Sequence, residues 1–445
     1  MNESAGARGV ARNPSTPLPL LLRILHARQP DLREALASRR DRLPDPLYDA
    51  MVAHPDAEVR RRLARNPCAP GAQRGRLAED ADPEVRRLTA LGPSVFREVA
   101  EPLPGAAYAR LAADPVVAVR LSAVERWPDP PAGALDALLT DPDPAVRETA
   151  RARECTARPE PGLLREVLLR DEGDAPWWGR KAAETAPLER ALAEDLVRSL
   201  LWGRRQAVAA NPHLPPDLVA ELARDPDPDV RRAVAMRQEL AEEQRAAIDA
   251  EVGPHDYVTP ARWASTTEDP ALMERAAHSR YLGLRRSAAC NDRLPPALVA
   301  HLAADEDFVV RLLLCEQHPA PPPDLLWEVY HHRQASEITS FELLGRPGFP
   351  VHRFAPLARS GSEHERWLAL RDPGLPEAVV DRLSRDPSGE VRRAAATHPA
   401  IGPDRLLELL ELRDDVRVVE AAASHPALPV RAMEAQLARA GLATG

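Results

Sequence analysis

Aromatic side chains are scarce, at 4 % of 445 residues, although apolar residues make up 44 %. A core without bulky rings must be built from Leu, Val and Ala on thin, closely packed helices. Cysteine is scarce too, and Cys68, Cys155, Cys290 and Cys315 lie far apart with no CxxC or other ligand spacing. That excludes a disulfide framework and a cysteine-based metal centre, and it fits reduced thiols in a cytoplasmic protein. No run of 18 apolar residues occurs, and Met1 to Leu22 has no charged region followed by an apolar stretch of signal length. Neither export nor membrane insertion is expected. A basic field is missing as well, because the net charge is −9 and the pI about 5.9, so nonspecific nucleic-acid binding has no electrostatic drive. Lys181 is the only lysine, which the codon bias of a GC-rich genome explains. There is no P-loop, GxGxxG, GxSxG or pair of carboxylates outside the pattern described next.

What is present is a recurring phrase. Asp225-Pro-Asp-Pro-Asp-Val230-Arg231-Arg232 returns as Asp386-Pro-Ser-Gly-Glu-Val391-Arg392-Arg393, and the frame recurs around Val59, Val85, Val119, Val146 and Val310, mostly 26 or 27 residues apart. A period of this size signals stacked repeats. One unit reads as two short helices. Asn211-Pro212 marks a turn, Pro216 suits a first helical position, and Leu218, Val219 and Leu222 form one apolar face. Asp227-Pro228-Asp229 then opens a second helix with a capping acid and an N-terminal proline, and Val230, Ala233 and Val234 form its apolar stripe. Arg232 is expected to point to water. Helices this short are marginal alone, so each unit needs neighbours on both sides, and residues distant in sequence are not expected to touch. Even Arg8-Gly-Val-Ala-Arg-Asn13-Pro echoes Arg61-Arg-Leu-Ala-Arg-Asn66-Pro. About 15 or 16 units fill residues 1–445 as a single solenoid, with insertions near 93–113 and 157–178 and degenerate units near 240–280 and 325–359.

The unit NPxLPPxLxxxLAxDPDPxVRxxVA, as in Asn211 to Ala235 and Asn291 to Leu313, resembles the leucine-rich repeat variant family. Its second half resembles HEAT-like repeats, in which an Asp five residues before a Val-Arg pair forms a ladder with arginines of neighbouring units. Asp80, Asp114, Asp141, Asp225, Asp305 and Asp386 stand at that offset. The resemblance implies an all-α, right-handed superhelix of alternating α and 3₁₀ helices. The N-terminal cysteine cluster that holds an iron–sulfur centre in some relatives has no counterpart here, so no cofactor is expected.

The first arginines, Arg60, Arg86, Arg120, Arg147, Arg231, Arg311 and Arg392, are expected to pair internally. The second arginines, Arg61, Arg87, Arg232, Arg286 and Arg393, have no acid at the ladder's fixed offset and are better placed for an acidic ligand. Among seven tryptophans, Trp177 and Trp178 lie with Arg180 at the end of an insertion and are candidate partner contacts, as are Arg232 and Arg393. Trp127, Trp202, Trp263, Trp327 and Trp367 sit on helical periodicity and are expected to fill gaps between units. Glu328, His331 and His332 have a Glu-x-x-His spacing but no third ligand, and no metal site is expected. His398 and His425 belong to turns. Together these readings point to a non-catalytic scaffold for another protein, with no small-molecule substrate. A HEAT-like DNA-alkylation glycosylase, or direct nucleic-acid binding through the second arginines, is the alternative.

Overall fold

The computed structural model describes residues 3–39, 41–93, 100–157, 165, 168–169, 177–254, 256, 258–332, 342–412 and 414–442, and every regular element among them is helical. The unit written from Asn211 to Ala235 folds as its sequence dictates. Pro215 precedes a helix Pro216–Leu222 that buries Leu218, Val219 and Leu222. Asp227 then accepts a hydrogen bond from the Asp229 N–H and opens a helix Pro228–Ala235 that buries Val230, Val234 and Ala235, while Ala233 is half-buried. Proline at the first position costs nothing because that N–H has no intrahelical partner. The seven valines of the phrase are all buried. First helices are mostly α rather than 3₁₀; among the described residues Arg76–Glu79 and Val351–Arg359 are the 3₁₀ elements.

The chain divides into two compact units, Met1–Ala150 with Val351–Gly445, and Arg151–Pro350. In the second, Trp177–Thr185, Trp202–Ala209 and Pro228–Ala235 stack in order, as do Arg262–Ser265, Leu282–Ala289 and Phe308–Gln317. The degenerate stretch near 240–280 keeps the frame with substitutes: the short helices Glu242–Ala246 and Arg262–Ser265, and Trp263, whose indole N–H donates to the Met236 carbonyl at 2.8 Å. Near 93–113 a regular helix Gly105–Ala112 returns; most of 157–178 lies outside the described residues.

In the first unit the second helices run in one stack: Glu363–Ala369, Gly389–Ala396, Val416–Ala423, Glu3–Arg12, Pro30–Ala37, Ala57–Ala64, Pro83–Leu91 and Val117–Arg126. Here the expectation that distant residues do not touch fails. Glu3–Arg12 packs on Val416–Ala423 and on Val430–Arg439, and a single buried core runs from Ala358 to Leu437 and on through Ala5 to Leu88. The physical reason is that Glu3–Arg12 carries the sequence of a second helix, and Val430–Arg439, which follows Leu428-Pro429, carries that of a first helix. Each half buries its apolar face on the other. Gly9 allows the close approach, since a Cβ there would overlap the Glu420 carbonyl oxygen and the Ala423 methyl.

Candidate interaction surface

Neighbouring units are tied by two ladders, and these decide which polar groups remain for a ligand. In the first ladder an arginine clamps its own turn and the aspartate of the next unit. Arg120 Nη1 donates to the Asp114 carbonyl at 2.8 Å, while Nε and Nη2 reach the Asp141 carboxylate at 2.7 and 2.8 Å. Arg366 does the same with the Ser360 carbonyl at 3.0 Å and Asp386 at 2.6 and 2.9 Å. Arg60–Asp80, Arg86–Asp114, Arg205–Asp225, Arg285–Asp305 and Arg392–Asp415 repeat the pairing. Each of these aspartates except Asp415, which accepts from the Val418 N–H at 3.3 Å, also accepts the N–H two residues on, as Asp141 from Asp143 and Asp386 from Ser388. The arginine hydrogen bonds hold Asp141 and Asp386 below the usual 3.8, against burial that would raise them. Where the phrase lapses the clamp weakens: Arg231 meets an exposed Asp249 at 3.4 Å.

The second ladder runs through the turn residue. Asn211 Nδ2 donates to the carbonyls of Ala183 and Ala186 in the preceding unit, at 2.7 and 2.8 Å, and its Oδ1 accepts from His213 N–H. Histidine performs the same task. His398 Nδ1 accepts from Ala400 N–H, which puts the ring proton on Nε2, 2.8 Å from the Asp372 carbonyl; His425 repeats this with Ala427 and His398.

The second arginines are not free of partners, which corrects the sequence reading. Arg87, Arg232 and Arg393 bind an acid three residues earlier, Glu84, Asp229 and Glu390, and Arg232 also binds Asp256 at 2.6 Å. Arg61 and Arg286 reach Asp82 and Asp307 of the next unit, and Arg286 is buried. Helical spacing brings the acid at i−3 onto the same face.

Candidate metal ligands are also engaged elsewhere. Glu328 pairs with Arg311 at 3.4 Å, His331 Nδ1 lies 2.9 Å from the Trp327 carbonyl, and His332 stacks on Phe308 at 4.0 Å. Among the described residues no three His, Cys, Asp or Glu side chains gather as a metal site. Burial pushes the thiols of Cys290 and Cys315 up to about 11 and about 12; the Cys155 side chain lies outside the described residues. No helix among the described residues is long and apolar enough to cross a membrane.

One turn departs from this economy. At the position of Asp225-Pro-Asp-Pro228 the second unit carries Ser199-Leu200-Leu201-Trp202. Leu200 is 98 % exposed, Leu201 38 % and Trp202 49 %. Trp202 therefore fills no gap between units, unlike Trp127, which is buried and stacks on Tyr108. Beside it opens a depression of about 320 Å³ lined by residues that include Arg198, Arg205, Glu221 and Arg224. Trp177 and Trp178 occupy the first turn of the adjacent helix Trp177–Thr185, and their side chains lie outside the described residues; exposed Arg180 donates to Gln206 Oε1 at 2.6 Å on the helix that Trp202 begins. Arg180 thus comes near the ledge, whereas Arg393 lies in the other unit. Sequence reasoning missed Leu200 to Trp202. The signal was there: an apolar triplet replaces the phrase's prolines and capping acid.

Residues 202–227 match the family described as leucine rich repeat variant. No curated protein matches the chain. Among solved structures, one described as a leucine-rich repeat variant with a novel repetitive structural motif is 22 % identical, covers 57 % of this chain and 88 % of its own, and has a TM-score of 0.32. An engineered protein is 13 % identical over 96 % of this chain and 98 % of its own, TM-score 0.15. Importin beta is 12 % identical over 95 % of this chain and 63 % of its own, TM-score 0.22.

Proposed function

We propose that this chain, which carries a leucine rich repeat variant repeat at residues 202–227, is a non-catalytic scaffold whose protein partner docks on the ledge Leu200-Leu201-Trp202. The observation that carries the reading is the exposure of these three side chains at a turn that elsewhere holds prolines and an acid. A cluster containing Trp with arginine at its rim has the composition of an interface hot spot. Arg180, which reaches Gln206 from the adjacent helix Trp177–Thr185, extends the same surface. Arg232 and Arg393 would have to give up the acids that hold them, and for the same reason the nucleic-acid alternative loses the free arginines on which it rested.

The test is paired capture from host lysate with the wild-type chain and with Leu200→Asp/Trp202→Asp. Both should melt at the same temperature, because neither side chain is in the core, and the variant should lose captured proteins by at least tenfold. Identical captured sets would remove the ledge from the interface. Duplex DNA retained at low salt by the wild type and lost by the variant would instead point to nucleic acid.

A further inference from the structure

We infer that the repeat completed by the two ends of the chain can also be completed between molecules, so that a second copy of this chain is a partner for the face formed by Val416–Ala423 and Val430–Arg439. What covers this face is visible: the helix Glu3–Arg12. The contacts are those of an ordinary joint between units. Asn13 Nδ2 donates to the carbonyls of Ala423 and His425 at 3.1 and 2.6 Å, as Asn211 does to Ala183 and Ala186. Val10 and Ala11 are buried with Met433 and Leu437 in the shared core. Arg8 and Arg12 both bind Glu420, Arg8 at 3.0 Å, and Gln29 Nε2 reaches the Ala440 carbonyl at 3.0 Å.

What sets this joint apart is connectivity. Elsewhere a first helix leads through a short turn into its own second helix, whereas Arg8 and Glu420 are 412 positions apart. The two faces are complementary and different, so they can meet within one chain or head to tail between chains, and two copies that exchange both joints form a closed dimer. Within one chain the ends hold each other at an effective concentration on the order of millimolar. The intramolecular joint therefore dominates in dilute solution, and exchange follows when it is weakened.

Charge reversal separates the two. In Glu420→Arg the joint sets the introduced guanidinium against Arg8 and Arg12; in Arg8→Glu/Arg12→Glu it sets two introduced carboxylates against Glu420. Each variant alone should be monomeric, with faster amide exchange over residues 3–12. Mixed in equal amounts, the two variants pair opposite charges at both intermolecular joints of each mixed dimer, and light scattering should report twice the monomer mass. The triple variant restores the joint within one chain and should be monomeric with wild-type exchange rates. A mixture that stays at monomer mass while the triple variant recovers overturns the proposal. As a measurement free of substitutions, two isotopically distinct wild-type samples, warmed to just below melting at about millimolar concentration and cooled together, should yield mixed dimers in native mass spectrometry. Finding only monomers there overturns it equally.

Discussion

Two turns of the second unit share a backbone and differ in everything they show to solvent. At Asp227 and at Leu201 the residue before the helix has φ −84° in both cases, with ψ 125° and 111°. Asp225 and Ser199 both accept the N–H two residues on, at 2.9 and 3.2 Å, and in both an arginine six residues later binds the turn carbonyl, Arg231 at 2.7 Å and Arg205 at 2.8 Å. Only the first turn has a capping acid. The geometry is thus held by the arginine clamp and one short polar side chain, and the three positions between them are left open to function. At 226–228 they carry Pro-Asp-Pro and serve stability; at 200–202 they carry Leu-Leu-Trp and give up a cap for an exposed apolar surface.

The largest test of that division concerns what both turns rest on. Val230 is fully buried between units, so Val230→Asp should destabilise by several kcal/mol in urea unfolding. Arg232→Ala on the adjacent helical face, removing partly exposed pairs to Asp229 and Asp256, should cost about 0–1 kcal/mol. Equal losses would mean that the stripe is misassigned. Next comes the clamp. Asp225 is buried and bound by Arg205 at 2.7 and 3.1 Å, so Asp225→Ala strands the guanidinium and should cost about 2–4 kcal/mol. Because Arg205 also holds the Ser199 turn, the variant should raise amide exchange at Leu201 as well as at Asp227. A smaller effect separates the turns directly. Asp227→Ala should lose about 1 kcal/mol of cap, and Leu201→Asp should gain about 0.5–1 kcal/mol by installing one, read as opposite shifts in thermal midpoint. Leu201→Asp should at the same time weaken partner capture; a stabilised variant with undiminished capture would place the partner elsewhere.

These comparisons also show which parts of the molecule were written locally. The Arg–Asp ladder was legible because both members keep a fixed offset from a buried valine. The partners of Arg87, Arg232 and Arg393 were equally present in the sequence, three residues upstream, but they lie on the helix surface and outside the ladder's offset. The meeting of Glu3–Arg12 with Val430–Arg439 was half legible: Gly9-Val10-Ala11-Arg12-Asn13 has the form of a second helix, yet no local period says which first helix completes it. Trp202 was misread because helical periodicity places a side chain on an angle and says nothing about whether a neighbour covers that angle.

The smallest expected effect contrasts units whose turn residue titrates with units where it does not. Asn211 and His425 make the same two kinds of bond, one to the preceding unit and one to their own turn, but only histidine can take up a proton, and Nδ1 would then lose its acceptor role. Burial lowers the His425 imidazole below 6.5, and burial followed by the Arg33 charge does the same at His54. A base whose folded value is depressed is neutral in both states above 6.5. As pH falls below 6.5 the unfolded chain binds protons that the folded chain resists, so stability declines until the depressed folded values are passed. Asp141 and Asp386, lowered from 3.8 by their arginines, contribute stability that persists above 3.8 and is lost only as pH falls from there through their folded values. Between about pH 7.5 and 5.5 the histidines therefore act and these carboxylates do not. His425→Asn should keep the joint and shrink the drop in urea midpoint across that interval; a drop unchanged from wild type would show that the proton is taken up elsewhere.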